Sequence, residues 1–177
     1  GAQQHFGVVP DLATFGKALG GGIVLSAFAG RREVMEMMLA GAAYGGTFNG
    51  NPIAMAAAKV TLDVLAEDNG AALTHANRMG GMLRKGLEEA AVESGIPIVT
   101  TGFGAAFSVH FTSRQPLRRY RDTFDDDKAL LARFLRDMLD EGIFLLPDGR
   151  IYTSVVHTER EVGETVDAAR KVFRKLT

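Results

Sequence analysis

Apolar residues recur along this chain with two spacings, and the change between them divides it. Beyond residue 70, Leu73, Met79, Met82, Leu83, Leu87 and Ala90 follow helical spacing, which predicts a helix over 71–94 ended by Gly95 and Pro97. The period then shortens. Strands are expected over 96–99 and 105–112, then a helix over 127–141 with Leu131, Phe134, Leu135 and Met138 on one face. Two more strands follow at 143–146 and 151–156. A closing helix over 158–175 starts with Thr158 and Glu161 in the spacing of a capping box. Helix, strands, helix, strands, helix predicts a small α/β domain with helices on one face of a mostly antiparallel sheet.

The first third reads differently, as short apolar runs punctuated by glycine. A strand over 12–15 leads into Gly16-Lys17, and a second, buried strand is expected over 23–29, bounded by Gly20-Gly21-Gly22 and Gly30. A short helix over 31–39 precedes the loop Gly45-Gly46-Thr47-Phe48-Asn49-Gly50. Asn51 is suited to cap, and Pro52 to open, an alanine-rich helix over 52–66. Composition shifts at Glu67-Asp68-Asn69-Gly70, so the expected domains are 1–68 and 69–177.

Charge and composition narrow the function classes. Lysine plus arginine number 20 against 21 acidic residues, so there is no cationic surplus to hold a nucleic-acid backbone or an anionic membrane. The chain has no cysteine, which excludes disulfides, thiolate metal sites and thiol catalysis. Its longest apolar runs, 23–29 and 53–58, fall far short of the ~20 residues that span a bilayer. Residues 1–6 have neither the charged start nor the apolar run of a signal peptide, and they begin without methionine. The expectation is a cytoplasmic protein whose chain starts within a longer polypeptide.

Two motifs could carry chemistry. Lys17 sits between Gly16 and Ala18-Leu19-Gly20-Gly21-Gly22, with no acid nearby in sequence to pair with it. It is either a snorkelling side chain or an amine with a chemical task, and the glycines permit the close backbone approach that a flat ring would need. Gly46 and Thr47 lie just ahead of a helix start, where backbone amides and a hydroxyl can donate to phosphate oxygens; a plain capped turn is the competing reading. Arg150, in Leu146-Pro147-Asp148-Gly149-Arg150, is either a carboxylate-binding guanidinium or a surface residue at a hairpin. His110 and His157 lack metal-site spacing and read as interface or edge residues. Asp125-Asp126-Asp127 reads as a cap and dipole complement, and the arginines of 114–121 as solvated surface.

The motifs together resemble a known family. The run Pro10-Asp11-Leu12-Ala13-Thr14-Phe15-Gly16-Lys17-Ala18-Leu19-Gly20-Gly21-Gly22, followed by Gly46-Thr47-Phe48-Asn49-Gly50-Asn51-Pro52, is similar to the class III aminotransferases, within them to the glutamate-1-semialdehyde aminomutase-like branch. Residues 26–35, Asp140-Glu141-Gly142-Ile143 and Asp167-Ala168-Ala169-Arg170-Lys171-Val172-Phe173 extend the similarity over essentially the whole chain. The resemblance implies a fold-type I pyridoxal-phosphate transferase: a partial large domain plus an α/β C-terminal small domain. It implies that Lys17 carries pyridoxal 5'-phosphate as an internal aldimine, and that Gly46 and Thr47 bind its phosphate from the partner subunit of a homodimer with shared active sites. The substrates it implies are an amino donor and a keto or aldehyde acceptor.

Val24, Ser26 and Asn49 depart from the aminomutase pattern, which favours an ordinary transaminase. The phosphate loop, the stacking aromatic and the ring-nitrogen aspartate of the family have no match in this chain. The expectation for this chain alone is therefore an inactive fragment, and the competing one a remnant that only dimerises or docks.

Overall fold

The computed structural model describes residues 2–177, and the chain divides into two compact units, one ending at Gly70 and one from Ala71 to Thr177. The first unit opens with helix α1 (Ala2–Phe6), too short to carry a helical period in the sequence. Strands β1 (Leu12–Phe15) and β2 (Ala27–Gly30) pair antiparallel, with Leu12 opposite Gly30 and Phe15 opposite Ala27. Arg31 closes this ladder: its N–H donates to the Asp11 carbonyl at 3.0 Å, and its guanidinium meets the Asp11 carboxylate at 3.1 Å. Between the strands, residues Lys17–Gly20 form a 3₁₀ turn. Helix α2 (Arg32–Met35) runs into a second 3₁₀ turn at Glu36–Met38.

Helix α3 (Pro52–Ala66) starts where the cap and proline predict. The Asn51 side-chain oxygen accepts from the N–H groups of Ile53 and Ala54 at 3.0 and 3.2 Å. The expectation of a buried strand over 23–29 is corrected: only Ala27–Gly30 pairs, and all four of its residues are exposed. The reason is local, since the Ile23 N–H turns back to the Gly20 carbonyl at 3.0 Å and the chain is still in a turn where a ladder would start.

The second unit consists of helix α4 (Ala71–Glu93), strands β3 (Val99–Phe103) and β4 (Ala106–His110), helix α5 (Lys128–Asp140), strand β5 (Arg150–Tyr152) and helix α6 (Glu159–Leu176). The sheet order is β3-β4-β5, antiparallel throughout. Because side chains alternate across a strand, Phe107 and Val109 of β4 and Ile151 of β5 point to one face and are buried. They meet Met79, Leu83 and Leu87 of α4, Phe134 and Met138 of α5, and Val172 and Phe173 of α6. Phe134 stacks on Phe173 with ring centroids 5.0 Å apart. Each such ring buries apolar surface worth about 1.5–3 kcal/mol. Thr101, Ser108, His110 and Arg150 point to the opposite, polar face, so the sheet carries helices on one side as its alternation predicts.

Three strands differ from expectation, and of the one expected over 151–156 only Arg150–Tyr152 forms. Residues 96–99 do not form one, because Pro97 has no N–H to give a ladder; β3 begins at Val99 instead. Residues 143–146 form a loop after Gly142, whose φ of 85° ends α5, and the Ile143 N–H bonds back to Met138 at 2.9 Å. Among the described residues no helix is long and apolar enough to cross a membrane.

Candidate functional site

Lys17 opens its 3₁₀ turn with φ of 56°, one of three non-glycine residues at positive φ among those described. A side chain there costs about 1–2 kcal/mol relative to right-handed backbone, so the surroundings must over-determine it. They do so through glycine. Gly16 before it is fully extended, and Gly20 is buried, where an added Cβ would lie 3.3 Å from Leu25 Cβ. Gly21, at φ 57°, approaches α3 so closely that a Cβ would sit 2.8 Å from Thr61 Oγ1. That hydroxyl is itself tied to the Ala57 carbonyl at 2.9 Å. The turn is thus seated on α3 with Lys17 at its exposed start, and among the described residues the Lys17 amine forms no ion pair.

Gly46 and Thr47 lie on the exposed loop ahead of α3. The Asn49 N–H donates to the Gly46 carbonyl at 3.0 Å, and the Asn51 N–H to Phe48 at 3.3 Å, which folds the loop into tight turns. Asn51 occupies the first free N–H groups of α3, so an anion here would meet the Thr47 hydroxyl and the loop amides rather than the helix end. No hydrogen bond joins Lys17 to this loop among the described residues. For pyridoxal phosphate, the donor set fits in part: an unpaired amine on a glycine-cradled turn and a hydroxyl with loop amides suited to phosphate.

Arg150 belongs to the second unit. Its Nε and Nη2 both reach Asp148 Oδ2 at 2.6 Å, and its own N–H meets Asp148 Oδ1 at 3.2 Å. The Arg150 guanidinium holds the Asp148 carboxyl below the usual range, and in return the carboxylate raises the arginine. A substrate carboxylate would have to compete with Asp148 for this guanidinium.

The sequence reading missed one constellation. His110 Nδ1 lies 2.7 Å from Asp126 Oδ2, and its Nε2 lies 2.8 Å from the Thr101 hydroxyl. The His110 and Asp126 side chains are only 15% and 14% exposed, so the histidine is an internal hydrogen-bonding residue rather than an edge residue. The three neighbouring aspartates also divide their work. Asp125 pairs with Arg114 at 3.3 Å, Asp126 holds His110, and only Asp127 caps α5, accepting from the Leu130 N–H at 2.8 Å. Thr101, His110 and Asp126 meet only through strand pairing and a loop return, so no spacing in the sequence marks them. Arg114 is likewise more than solvated surface, since it also bridges to Asp122 at 2.9 Å.

A family model described as aminotransferase class III matches residues 1–173. Among solved structures, an omega-transaminase from Sphaerobacter thermophilus is 33% identical with a TM-score of 0.91, covering 99% of this chain and 41% of that one. The pyridoxal-phosphate internal aldimine form of the FumI protein from Sphingopyxis sp. MTA144 is 25% identical with a TM-score of 0.84, covering 98% and 39%. A glutamate-1-semialdehyde aminomutase from Pseudomonas aeruginosa PAO1 shares the fold, at 22% identity and a TM-score of 0.85, covering 100% and 42%. The chain therefore spans about two-fifths of the length of these structures.

Proposed function

The chain belongs to the class III aminotransferases, and from that premise we propose that it supplies the lysine and a phosphate donor of a pyridoxal-phosphate-dependent transaminase. The observation that carries this is the conformation of Lys17: a positive-φ amine at the exposed start of a turn that Gly20 and Gly21 seat on α3. When bound, pyridoxal phosphate supplies an electron sink for the carbon that bears the amino group.

Lys17 Nζ is the nucleophile that holds the cofactor covalently at rest. The same Nζ would accept a proton at the donor carbon and donate it back, so one side chain would both hold the cofactor and carry the proton. Gly46 and Thr47 anchor the phosphate, donating from the loop N–H groups and the Thr47 hydroxyl. They do so across the subunit boundary of a homodimer with shared sites. Arg150 binds the substrate carboxylate in exchange for Asp148. The amino donor is an amino acid or related amine, and the acceptor a keto or aldehyde compound.

Identity of 33% to an omega-transaminase supports the transaminase reading over intramolecular amino transfer. So do Val24, Ser26 and Asn49.

Borohydride reduction in the presence of pyridoxal 5'-phosphate tests the reading. A label fixed on the peptide containing Lys17, and lost in Lys17→Ala, is the expected result. A label fixed instead on Lys59, which is held by Asp63 at 2.6 Å, overturns it.

A further inference from the structure

The polar face of the β3-β4-β5 sheet is the floor of a cleft of about 740 Å³ in the second unit, a volume suited to a metabolite-sized ligand. Thr101 and His110 stand on that floor, and the segment carrying Arg118 and Arg119 and the start of α5 with Lys128 form its walls. Three observations define what it could hold.

The first is charge. Arg150 at the floor is neutralised by Asp148, and Asp127 is engaged as a cap. Arg118, Arg119 and Lys128 line the same cleft and form no ion pair among the described residues. Asp126 and Asp127 also line the cleft, so beyond the Arg150–Asp148 pair three cations face two acids; that surplus of one favours an anion, and the planar guanidinium fork matches a carboxylate in two-pronged fashion.

The second is hydrogen-bond direction. A carboxylate only accepts, so His110 Nδ1 carries a proton and donates it to Asp126 Oδ2. In the neutral imidazole Nε2 is then an acceptor, and the Thr101 hydroxyl donates to it at 2.8 Å. With the ring neutral, this relay fixes the hydroxyl hydrogen and leaves the lone pairs of Thr101 Oγ1 to accept from a ligand. A plain carboxylate has nothing to donate; a hydroxy-carboxylate has.

The third is rigidity. His110 and Thr101 stand diagonally on paired strands, with Val99 opposite His110 and Thr101 opposite Ser108. The acceptor is therefore set by the sheet and costs little ordering on binding.

We propose that this cleft is a binding site for a small hydroxy-polycarboxylate, its carboxylates held by Arg118, Arg119 and Lys128 and its hydroxyl donating to Thr101 Oγ1. The site lies wholly within the second unit and uses neither Lys17 nor Arg150, the residues the proposed function assigns to cofactor and substrate, so the inference does not rest on the transaminase reading.

Isothermal titration of the full chain with citrate, set against tricarballylate, which lacks only the hydroxyl, is the test. Saturable citrate binding at one site per chain is expected, with tricarballylate weaker by about tenfold for the missing hydrogen bond. Arg118→Ala and Lys128→Ala should each weaken citrate by about tenfold while leaving the unfolding midpoint unchanged, because both side chains are exposed. Thr101→Val should erase the preference for citrate, and Thr101→Ser, which keeps the hydroxyl, should retain it. Titrations in a Lys17→Ala background should give the same values, which separates this site from any anion binding beside the lysine. No saturable citrate binding, equal affinity for the two anions in the unaltered chain, or full affinity in Arg118→Ala and Lys128→Ala would each overturn the proposal.

Discussion

Replacing Gly21 by alanine measures how firmly the Lys17 turn is held on α3. At φ 57° a side chain costs about 1 kcal/mol through its own backbone conformation. The new Cβ would also sit 2.8 Å from Thr61 Oγ1, inside van der Waals contact. Relief requires the Thr61 hydroxyl to rotate, which breaks its 2.9 Å bond to the Ala57 carbonyl at a net cost of about 1 kcal/mol. Gly21→Ala should therefore destabilise the turn and its helix by about 2 kcal/mol in all.

The two parts separate in a double-mutant cycle. Thr61→Ala removes the obstructing oxygen and should return about 1 kcal/mol to Gly21→Ala, while Thr61→Ser, which keeps the oxygen, returns none. Hydrogen exchange of peptides spanning 17–23 and 52–66 reports the local stability, and borohydride labelling with pyridoxal phosphate reports whether the amine is still presented. Native exchange in Gly21→Ala, or rescue by serine as complete as by alanine, refutes the seating of this turn on α3.

Three further outcomes are expected. Thr47→Val removes one hydrogen bond to a charged acceptor, about 1.5–3 kcal/mol, so pyridoxal-phosphate affinity in the complete enzyme should fall roughly tenfold to a hundredfold in a fluorescence titration; an unchanged affinity removes Thr47 from the site. Hydrogen bonds from the Thr158 hydroxyl, the Arg160 guanidinium and the Thr158 N–H lower Glu161 from 4.5 to about 2. Because the folded value is the lower one, this stabilisation is complete above 4.5 and is lost as pH falls toward 2. Glu161→Gln should flatten that part of the Tm profile, and parallel profiles would count against the capping box. Gly80→Ala drives a Cβ into the backbone carbonyl of Gly104, with Ala105 Cα 2.9 Å away, and should cost about 3 kcal/mol of stability by chemical denaturation; a neutral change would mean that the β3-β4 turn does not rest on α4.

Long helices were legible because burial repeats along them and their ends carry chemistry. Asn51 and Pro52, Asp127, and Thr158 with Glu161 each mark a start that the structure keeps. Apolar runs were less informative, because an apolar run reports burial and not pairing. Ile143 and Leu145 pack against the core from a loop, with no strand beside them. In 23–29 only Ala27–Gly30 pairs, and the run before it stays in a turn. The glycine motif around Lys17 was visible as composition, but the seating of its turn, where Gly21 meets Thr61, is a contact made by tertiary packing. His110 and Asp126 were invisible for a related reason: a partly enclosed hydrogen-bond chain has no periodicity.

Helix α4 is gripped at two points where side chains are missing. Gly80 admits the backbone of the β3-β4 turn, and Gly86, on another side of the helix, admits Val166 of α6. A shaft keyed on two sides can neither roll about its axis nor slide along it without dislodging whatever fills the keyways. Ordinary helix pairs slip by small shear because interdigitated side chains re-seat, but a carbonyl lodged against a bare backbone has no second seat. Motion reaching α4 should therefore pass to the β3-β4 turn and to α6 together. The thermal displacements of these three elements should be correlated, and the slack of this unit confined to the segments between them, chiefly 112–126 and 142–149.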